Sequence, residues 1–409
     1  MPGLTQESIL RPPRKPRVAI LFERFGPYHV ARLNAAAREV DLVGIEMTAR
    51  DQTYAWDDTA GTERFERHAV CADDTEATLP HAALRLSRLL ADAAPDAVAI
   101  PGWSHPLALA ALAWCRRSGT TAILMSDSTA NDAPRTVIAE AVKRWLVARF
   151  DTALVAGQPQ RRYLEGLGMP AAAIRDGFDV VDNDHFARGA DAARADVGRV
   201  RAERGLPASY FLACARFVPK KNIAGLLEAY AIYRHEAGDG AWHLVLVGDG
   251  PLRGALEAQI ARLAIGDQVM LPGFRQYDEI PAYYGLAGAF VHASSVDQWG
   301  LVVNEAMAAG LPALVSSRCG CAPDLVVEGV TGHGFDPADP KGLAALMRAT
   351  SGDPQSAAMG AAGRRHIAQW DLDRFARSLR TAAMARPSPR PRRQPFEGAM
   401  LRALSALRR

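Results

Sequence analysis

Two carboxylates eight positions apart, Asp297 and Glu305, flank a glycine in the segment SSVDQWGLVVNEAMAAGLP (294–312). The apolar stretch from Gly288 to Ser294 has the character of a buried strand. It runs into a loop carrying Asp297, and a helix is expected to open at Gly300 with Glu305 in its second turn. The first N–H groups of such a helix have no intrahelical acceptors and lie at the positive end of its dipole, which makes them a phosphate site. Two carboxylates beside a bare phosphate would repel it. If each carboxylate instead binds hydroxyls, the group fits a sugar nucleotide whose diphosphate rests on the helix amides.

Cations accompany this arrangement. Arg216 closes an apolar strand and Lys221 follows five residues later in ARFVPKKN, just ahead of another expected helix. Cations at a helix N-terminus oppose the dipole, so their presence there points to an anionic ligand, with arginine able to bind two oxygens at once. GDGP (248–251) follows the strand WHLVLV. Gly250 lets backbone approach a ligand, and Pro251 suits the first turn of a helix. In FGPYH (25–29), Gly26 brings the first loop toward the same region, and His29 either faces it or begins the helix. Cys319 and Cys321, in RCGCAPDLV, are separated by one residue and lack a second cysteine pair. They are read as small residues filling a tight loop, not as a metal or redox pair, and no metal site is expected.

These residues need a scaffold. The 409 residues exceed one ordinary core and suit two domains. An apolar fraction of 49%, a charged fraction of 23% and a net charge of +3 describe an ordinary globular protein with no electrostatic case for nucleic acid. No apolar run reaches membrane-spanning length, the N-terminus lacks a signal-peptide pattern, and the five cysteines are scattered. A reduced, cytoplasmic protein is expected. Residues 1–16, with four prolines, are expected to form a flexible lead. RVAILFE, DLVGIEM, PDAVAIPG, TTAILMS and DTALVAG read as buried strands separated by Ala- and Arg-rich helical stretches. The rhythm restarts with YFLACAR, WHLVLVGDG, QVMLPGF, GAFVHAS and PALVSS. The fold class is therefore α/β: two Rossmann-like, doubly wound domains (17–190 and 205–370) whose strand C-terminal ends share a cleft. The Ala-, Asp- and Arg-rich stretch 187–204 reads as a connecting segment. A C-terminal helix (371–385) is expected to cross back to the first domain. The tail 386–409 carries seven arginines against one glutamate, with Phe396, Met400, Leu401, Leu404 and Leu407 on one helical face. Packing on protein is one use of that face. Peripheral contact with an anionic membrane, at its inner surface, is the other.

The ordered set Arg216…Lys221, GDGP, LPGF (271–274), then Asp297-x7-Glu305 with EAMAAGLP, resembles the retaining glycosyltransferases of family 4, which have the GT-B fold. The match spans most of the second half. The first half is similar through its Gly-bearing first loop and IRDGFDVVDNDHF (174–186). The resemblance implies that the first domain takes the acceptor and the second the nucleotide sugar. It implies that Arg216 and Lys221 bind the donor diphosphate and that the amides of Leu301 and Val302 hold its distal phosphate. Glu305 would bind the ribose hydroxyls, and the first acidic residue the 3- and 4-hydroxyls of the transferred sugar. That residue is usually Glu in the family and is Asp297 here. Ser126 and Asp127 stand where many members carry a histidine that contacts the sugar, and His105, one strand earlier, is its substitute, an acceptor contact or a structural residue. Asp182 and Asp184, and Asp371 and Asp373, spell the Asp-x-Asp letters of metal-dependent transferases, but neither pair follows a strand of a nucleotide-binding unit, so they are read as caps or surface charge. The expected activity is metal-independent transfer to a hydroxyl of a glycan, lipid-linked saccharide or small molecule, with no cofactor beyond the nucleotide-sugar donor. The alternatives are a sugar-nucleotide epimerase and a non-catalytic, membrane-associated partner of a glycan assembly complex.

Overall fold

The computed structural model describes residues 14–48, 61–72, 80–132 and 135–385. The tail 386–409 and nearly all of the lead 1–16 lie outside them. The first body's strands are β1 (Arg17–Phe22), β2 (Asp41–Thr48), β3 (Glu66–Cys71), β4 (Ala97–Pro101), β5 (Thr121–Ser126), β6 (Thr152–Val155) and β7 (Ile174–Asp176), the central ones apolar runs and the edge strands β3 and β7 more polar. Between them run α1 (Pro27–Ala36), α2 (Pro80–Ala93), α3 (Pro106–Ser118), α4 (Val137–Val147) and α5 (Gln158–Gly166). The seven strands form one parallel sheet in the order β3-β2-β1-β4-β5-β6-β7. Helices cover both faces, so central strands such as β5 are buried at every residue and read as unbroken apolar runs, not as alternation.

Two helices, α6 (Asn183–Ala195) and α7 (Val197–Arg204), lead into the second sheet. It comprises β8 (Tyr210–Cys214), β9 (His243–Val247), β10 (Val269–Gly273), β11 (Ala289–His292), β12 (Ala313–Ser316) and β13 (Gly332–Phe335), parallel in the order β10-β9-β8-β11-β12-β13. Its helices are α8 (Ile223–Ala237), α9 (Arg253–Arg262), α10 (Ile280–Leu286), α11 (Leu301–Ala308), α12 (Ala322–Leu325), α13 (Pro340–Gly352) and α14 (Ser356–Ile367). Both halves thus reverse direction beside their first strand, at β1/β4 and β8/β11, and the architecture is GT-B: two doubly wound domains facing one cleft.

The boundary between the bodies falls earlier than composition implies. Helix α6 packs on α10 and α11, and Arg194 Nη2 donates to the Ala309 carbonyl at 2.6 Å. The second body therefore begins near Asn183 and includes the stretch read from composition as a connector. The chain then returns. Helix α15 (Leu372–Ala383) packs on α1, β6 and β7 of the first body. Phe375 and Leu379 are fully buried there, and Arg374 Nη2 meets Asp176 Oδ1 at 2.9 Å.

Candidate active site

The cleft is bridged from several sides. Gln160 Nε2 of α5 donates to the Gln298 carbonyl at 2.5 Å, and the Gln158 amide donates to Asp324 Oδ2 at 2.9 Å. On α1, Tyr28 Oη donates to Glu305 Oε1 of α11 at 3.0 Å. The strand ends of the two sheets therefore meet, with the sequence-selected residues gathered between them.

The loop before α11 is shaped by Gly300, whose φ of 100° lies in the left-handed region open to glycine. A Cβ here would fall 2.7 Å from Cys319 Sγ, so only glycine lets the loop turn into the helix. Leu301 and Val302 then open α11, and their amides belong to the first turn, where helical N–H groups have no acceptor in the helix. Asp297, 8% exposed, precedes that terminus. Its Oδ2 accepts from Lys221 Nζ at 2.5 Å and from Ser294 Oγ at 3.4 Å, and lies 2.8 Å from His292 Nε2. Burial works to raise this carboxyl, but the hydrogen bond and charge of His292, and then Lys221, hold it well below the usual carboxylate range. Lys221 is therefore shared with Asp297 and is not displayed to a diphosphate alone.

Glu305 is fully buried, with Tyr284 Oη donating to Oε2 at 2.8 Å opposite the Tyr28 bond to Oε1. Burial pushes its carboxyl up to about 7 against the lowering influence of the two tyrosines and His292. Arg216 is exposed at the end of β8, where the loop 215–218 lies against GDGP through the Phe217 amide, 2.8 Å from the Asp249 carbonyl. A Cβ on Gly250 would sit 2.8 Å from backbone atoms of Phe217, so close packing of these two loops already requires this glycine. Pro251 occupies the turn ahead of α9, which starts at Arg253, and not the helix's first turn as its position in the sequence implies.

On the first domain, a cavity of about 210 Å³ opens at the ends of β4 and β5, lined among others by Gly102, Trp103, Ser104, Ser126, Asp127 and Phe178. Ser126 is buried and accepts from the Ser128 amide at 3.2 Å. Asp127 is exposed at the cavity wall, where partial loss of solvent, followed by the nearby Asp132 and Asp297, raises its carboxyl while Lys220 opposes the shift. Asp179, buried after β7, is pushed up to about 7 by burial, with Arg32 lowering it and Asp127 and Asp297 raising it. Two histidines, each read as a cleft contact or a structural residue, have structural duties. His29 Nδ1 accepts from the Gly26 amide at 3.2 Å, capping its own helix, and burial followed by the Arg32 charge lowers the ring to about 3, so it is neutral. His105 is the N-cap of α3, accepting from the Leu107 amide at 3.1 Å. The Asp-x-Asp pairs behave as caps too: Asp182 caps α6 and Asp371 caps α15.

Sequence reading missed Tyr28, Tyr284, His292, Arg32 and Asp179. Tyr28 sits inside FGPYH and Asp179 inside the segment 174–186, so their neighbourhoods were flagged although the residues were not. His292 carries no motif signal. All five cysteines are free and buried, with Cys319 Sγ 3.5 Å from Cys321 Sγ. Among the described residues, ligand atoms of His292, Asp297 and Cys319 lie within 4.8 Å of one another, close enough for a metal ion in principle. Lys221 Nζ and His292 Nε2 already meet Asp297 Oδ2, however, and compensate its charge without an ion. The cluster is an ion-pair network.

Fold and site together define a class: a GT-B protein whose cleft gathers two carboxylates, a helix N-terminus and neighbouring cations. The likeness to known proteins is carried by the second domain. Residues 201–366 match the family described as glycosyl transferases group 1. The chain is 31% identical over 240 residues to a GDP-mannose-dependent alpha-(1-6)-phosphatidylinositol monomannoside mannosyltransferase of Mycolicibacterium smegmatis, covering 56% of this chain and 60% of that protein. It is 32% identical over 236 residues to a D-inositol 3-phosphate glycosyltransferase of Streptomyces avermitilis, covering 54% and 49%. The chain thus spans between half and three-fifths of the length of these relatives. Among solved structures, Anabaena HepE in complex with UDP and glucose superposes with a TM-score of 0.72 at 17% identity, over 89% of this chain and 98% of that one. This likeness is one of fold.

Proposed function

We propose that this protein is a retaining, metal-independent glycosyltransferase that moves a sugar from a nucleotide-sugar donor to a hydroxyl acceptor. The observation that carries the reading is Asp297, an ionised carboxylate held before the α11 terminus by Lys221 and near enough to Asp127 of the first-domain cavity for the two charges to interact. In this reading the donor diphosphate lies on the amides of Leu301 and Val302, with Arg216 and Lys221 beside it. Asp297 binds hydroxyls of the transferred sugar and Glu305 those of the ribose. As the glycosidic bond breaks, negative charge grows on the leaving diphosphate, and the cations and helix terminus stabilise it in place. The departing phosphate oxygen, on the same face as the incoming acceptor, takes the acceptor's proton, so the anomeric configuration is kept. Asp127 and Ser126 stand on the acceptor side. Relatives named for GDP-mannose and neighbours bound to UDP support a nucleotide-sugar donor. The acceptor class is a glycan, a lipid-linked saccharide or a small molecule. Among the described residues no helix is long and apolar enough to cross a membrane, and the basic tail is the proposed peripheral contact with an anionic surface.

A thermal-shift screen of GDP-mannose, UDP-glucose, GDP and UDP tests the donor site, since a ligand that binds only the folded state raises the melting temperature by mass action. Stabilisation by at least one nucleotide sugar is expected, with slow release of free sugar when no acceptor is added. Formation of a nucleotide-sugar isomer would favour epimerase chemistry instead. Turnover should persist in EDTA. Complete loss restored by magnesium or manganese would overturn metal independence.

A further inference from the structure

His292 closes β11 directly behind Asp297. It is 3% exposed, and its Nε2 lies 2.8 Å from Asp297 Oδ2. The same oxygen takes Lys221 Nζ at 2.5 Å and Ser294 Oγ at 3.4 Å. Three donors from two segments of chain thus converge on one carboxylate oxygen. The loop is fixed from the other side as well: the Asp297 carbonyl accepts from the Gly320 amide at 2.9 Å, and Cys319 Sγ donates to the Trp299 carbonyl at 2.7 Å. The imidazole has little room to move, because a Cβ placed on Gly300 would already lie 3.2 Å from His292 Nε2. An aspartate also reaches one methylene less far than a glutamate. With Oδ2 anchored inside the protein, Oδ1 is the oxygen left to reach the cleft.

We infer that His292 is a positioning residue for sugar transfer: together with Lys221 it clamps Asp297 through Oδ2 and presents Oδ1 to the hydroxyls of the transferred sugar at a fixed angle. The inference rests on the reading of Asp297 as the sugar-binding carboxylate. A free aspartate would lose side-chain rotation on meeting the sugar, and a clamped one has lost it beforehand. His292 itself does not touch the substrate.

The clamp is ionic as well as geometric. Burial alone would drive the imidazole toward its neutral form, yet the Cys319 sulfur and the Asp297 carboxylate raise it to about 9. The titratable groups around the pair are Lys220 and Lys221 from the turn before α8, Cys319 and Cys321 from the loop before α12, Glu305 from α11, and Asp127 and Asp179 across the cleft. Among the described residues, Lys221 and His292 are the cations in contact with Asp297. Without the imidazolium, burial and the facing carboxylates are opposed by Lys221 alone, and the Asp297 carboxyl moves up toward the ordinary range.

The test uses the full chain and calorimetric titration with GDP-mannose and UDP-glucose, and with GDP and UDP, from pH 4 to 8.5. The ratio of the two dissociation constants for each base isolates what the sugar adds, compared with wild type at the same pH. His292→Ala should shift this ratio against the nucleotide sugar by about tenfold, the scale of a lost charge-assisted hydrogen bond, while GDP and UDP bind as in wild type. His292→Gln retains a donor near the Nε2 position without the charge. Its ratio should match wild type at pH 8 and fall away from it as the pH drops toward 4, where Asp297 begins to be protonated in the variant only. Should His292→Ala fail to fold, the pH profile of His292→Gln decides. A histidine that merely packs would lower the melting temperature of both variants and leave the ratio and its pH profile at wild type, which overturns the clamp. Asp297→Asn separates the two readings. If it keeps the sugar's share of affinity, the sugar-binding reading fails and the clamp with it. If it loses that share while the His292 variants keep it, the clamp alone fails.

Discussion

In the proposed reading Lys221 and Glu305 act on different parts of the donor, so their variants should separate cleanly. Lys221 lies beside Asp297 at the end of the loop that follows β8, so Lys221→Ala removes positive charge where the leaving diphosphate gains negative charge. The catalytic rate should fall by roughly two to three decades, as for other lost transition-state electrostatics. Single-turnover kinetics on folded protein check this, and near-wild-type turnover would remove Lys221 from the diphosphate site. Glu305→Gln should instead weaken nucleotide binding and change the pH dependence of stability. The Glu305 carboxyl stands at about 7 in the folded protein, above its ordinary value of 4.5, because it is fully buried. Its contribution is therefore intact below pH 4.5 and is lost as pH rises through 7. The glutamine carries no such loss. The variant should match wild type near pH 4.5 and gain on it by up to about 3 kcal/mol at pH 8 in denaturant unfolding. A pH-independent difference would show that Glu305 ionises normally.

Helix α1 reaches across the cleft, and that contact has a consequence for the donor. Tyr28 Oη holds Glu305 Oε1 while its ring meets Tyr277 edge-on, with centroids 5.0 Å apart. A ribose cannot take Oε1 while the phenol occupies it, so nucleotide binding must break the bond. Tyr28→Phe keeps the ring contact and deletes the competitor. It should tighten GDP or UDP binding by roughly threefold to tenfold, on the scale of a hydrogen bond to a charged group partly compensated by water. Weaker binding in the titration would instead make Tyr28 part of the nucleotide site. At the same scale, α11 owes its tight start beside Asp297 to Gly300, and α9 begins too late for Pro251 to be its first residue.

At the scale of the whole molecule, α15 ties the end of the described chain to the first domain. Phe375, fully buried against that domain, should cost about 3 to 5 kcal/mol when cut to alanine. Thermal unfolding should then show the first domain melting ahead of the second, whereas an unchanged profile would mean that α15 adds little to the first core. The basic tail beyond residue 385 carries no site residue. Deleting 386–409 should leave donor hydrolysis intact and reduce binding to vesicles containing anionic lipid, because clustered arginines beside an apolar face bind such surfaces. Vesicle binding unaffected by the deletion would assign the tail to packing on protein.

Sequence alone determined the features whose physics is local. Buried parallel strands must be continuous apolar runs, so the central strands of both sheets were legible. The edge strands β3, β7 and β13 were not, because an edge has one neighbour and tolerates segments such as ERHAVC, IRD and GHGF. Spacing also revealed Asp297, Gly300 and Glu305, because a loop, a glycine start and a helix turn are set by adjacent residues. Tertiary structure decided which groups those carboxylates meet. Tyr28 reaches Glu305 from 277 positions away, a distance over which no periodicity operates. It also turned His29 and His105 into helix caps, and it drew a histidine with no motif of its own to the back of Asp297. Local patterning places a functional group at the end of a strand or helix, but its partners, and hence its charge, are fixed only when the two sheets close on one cleft.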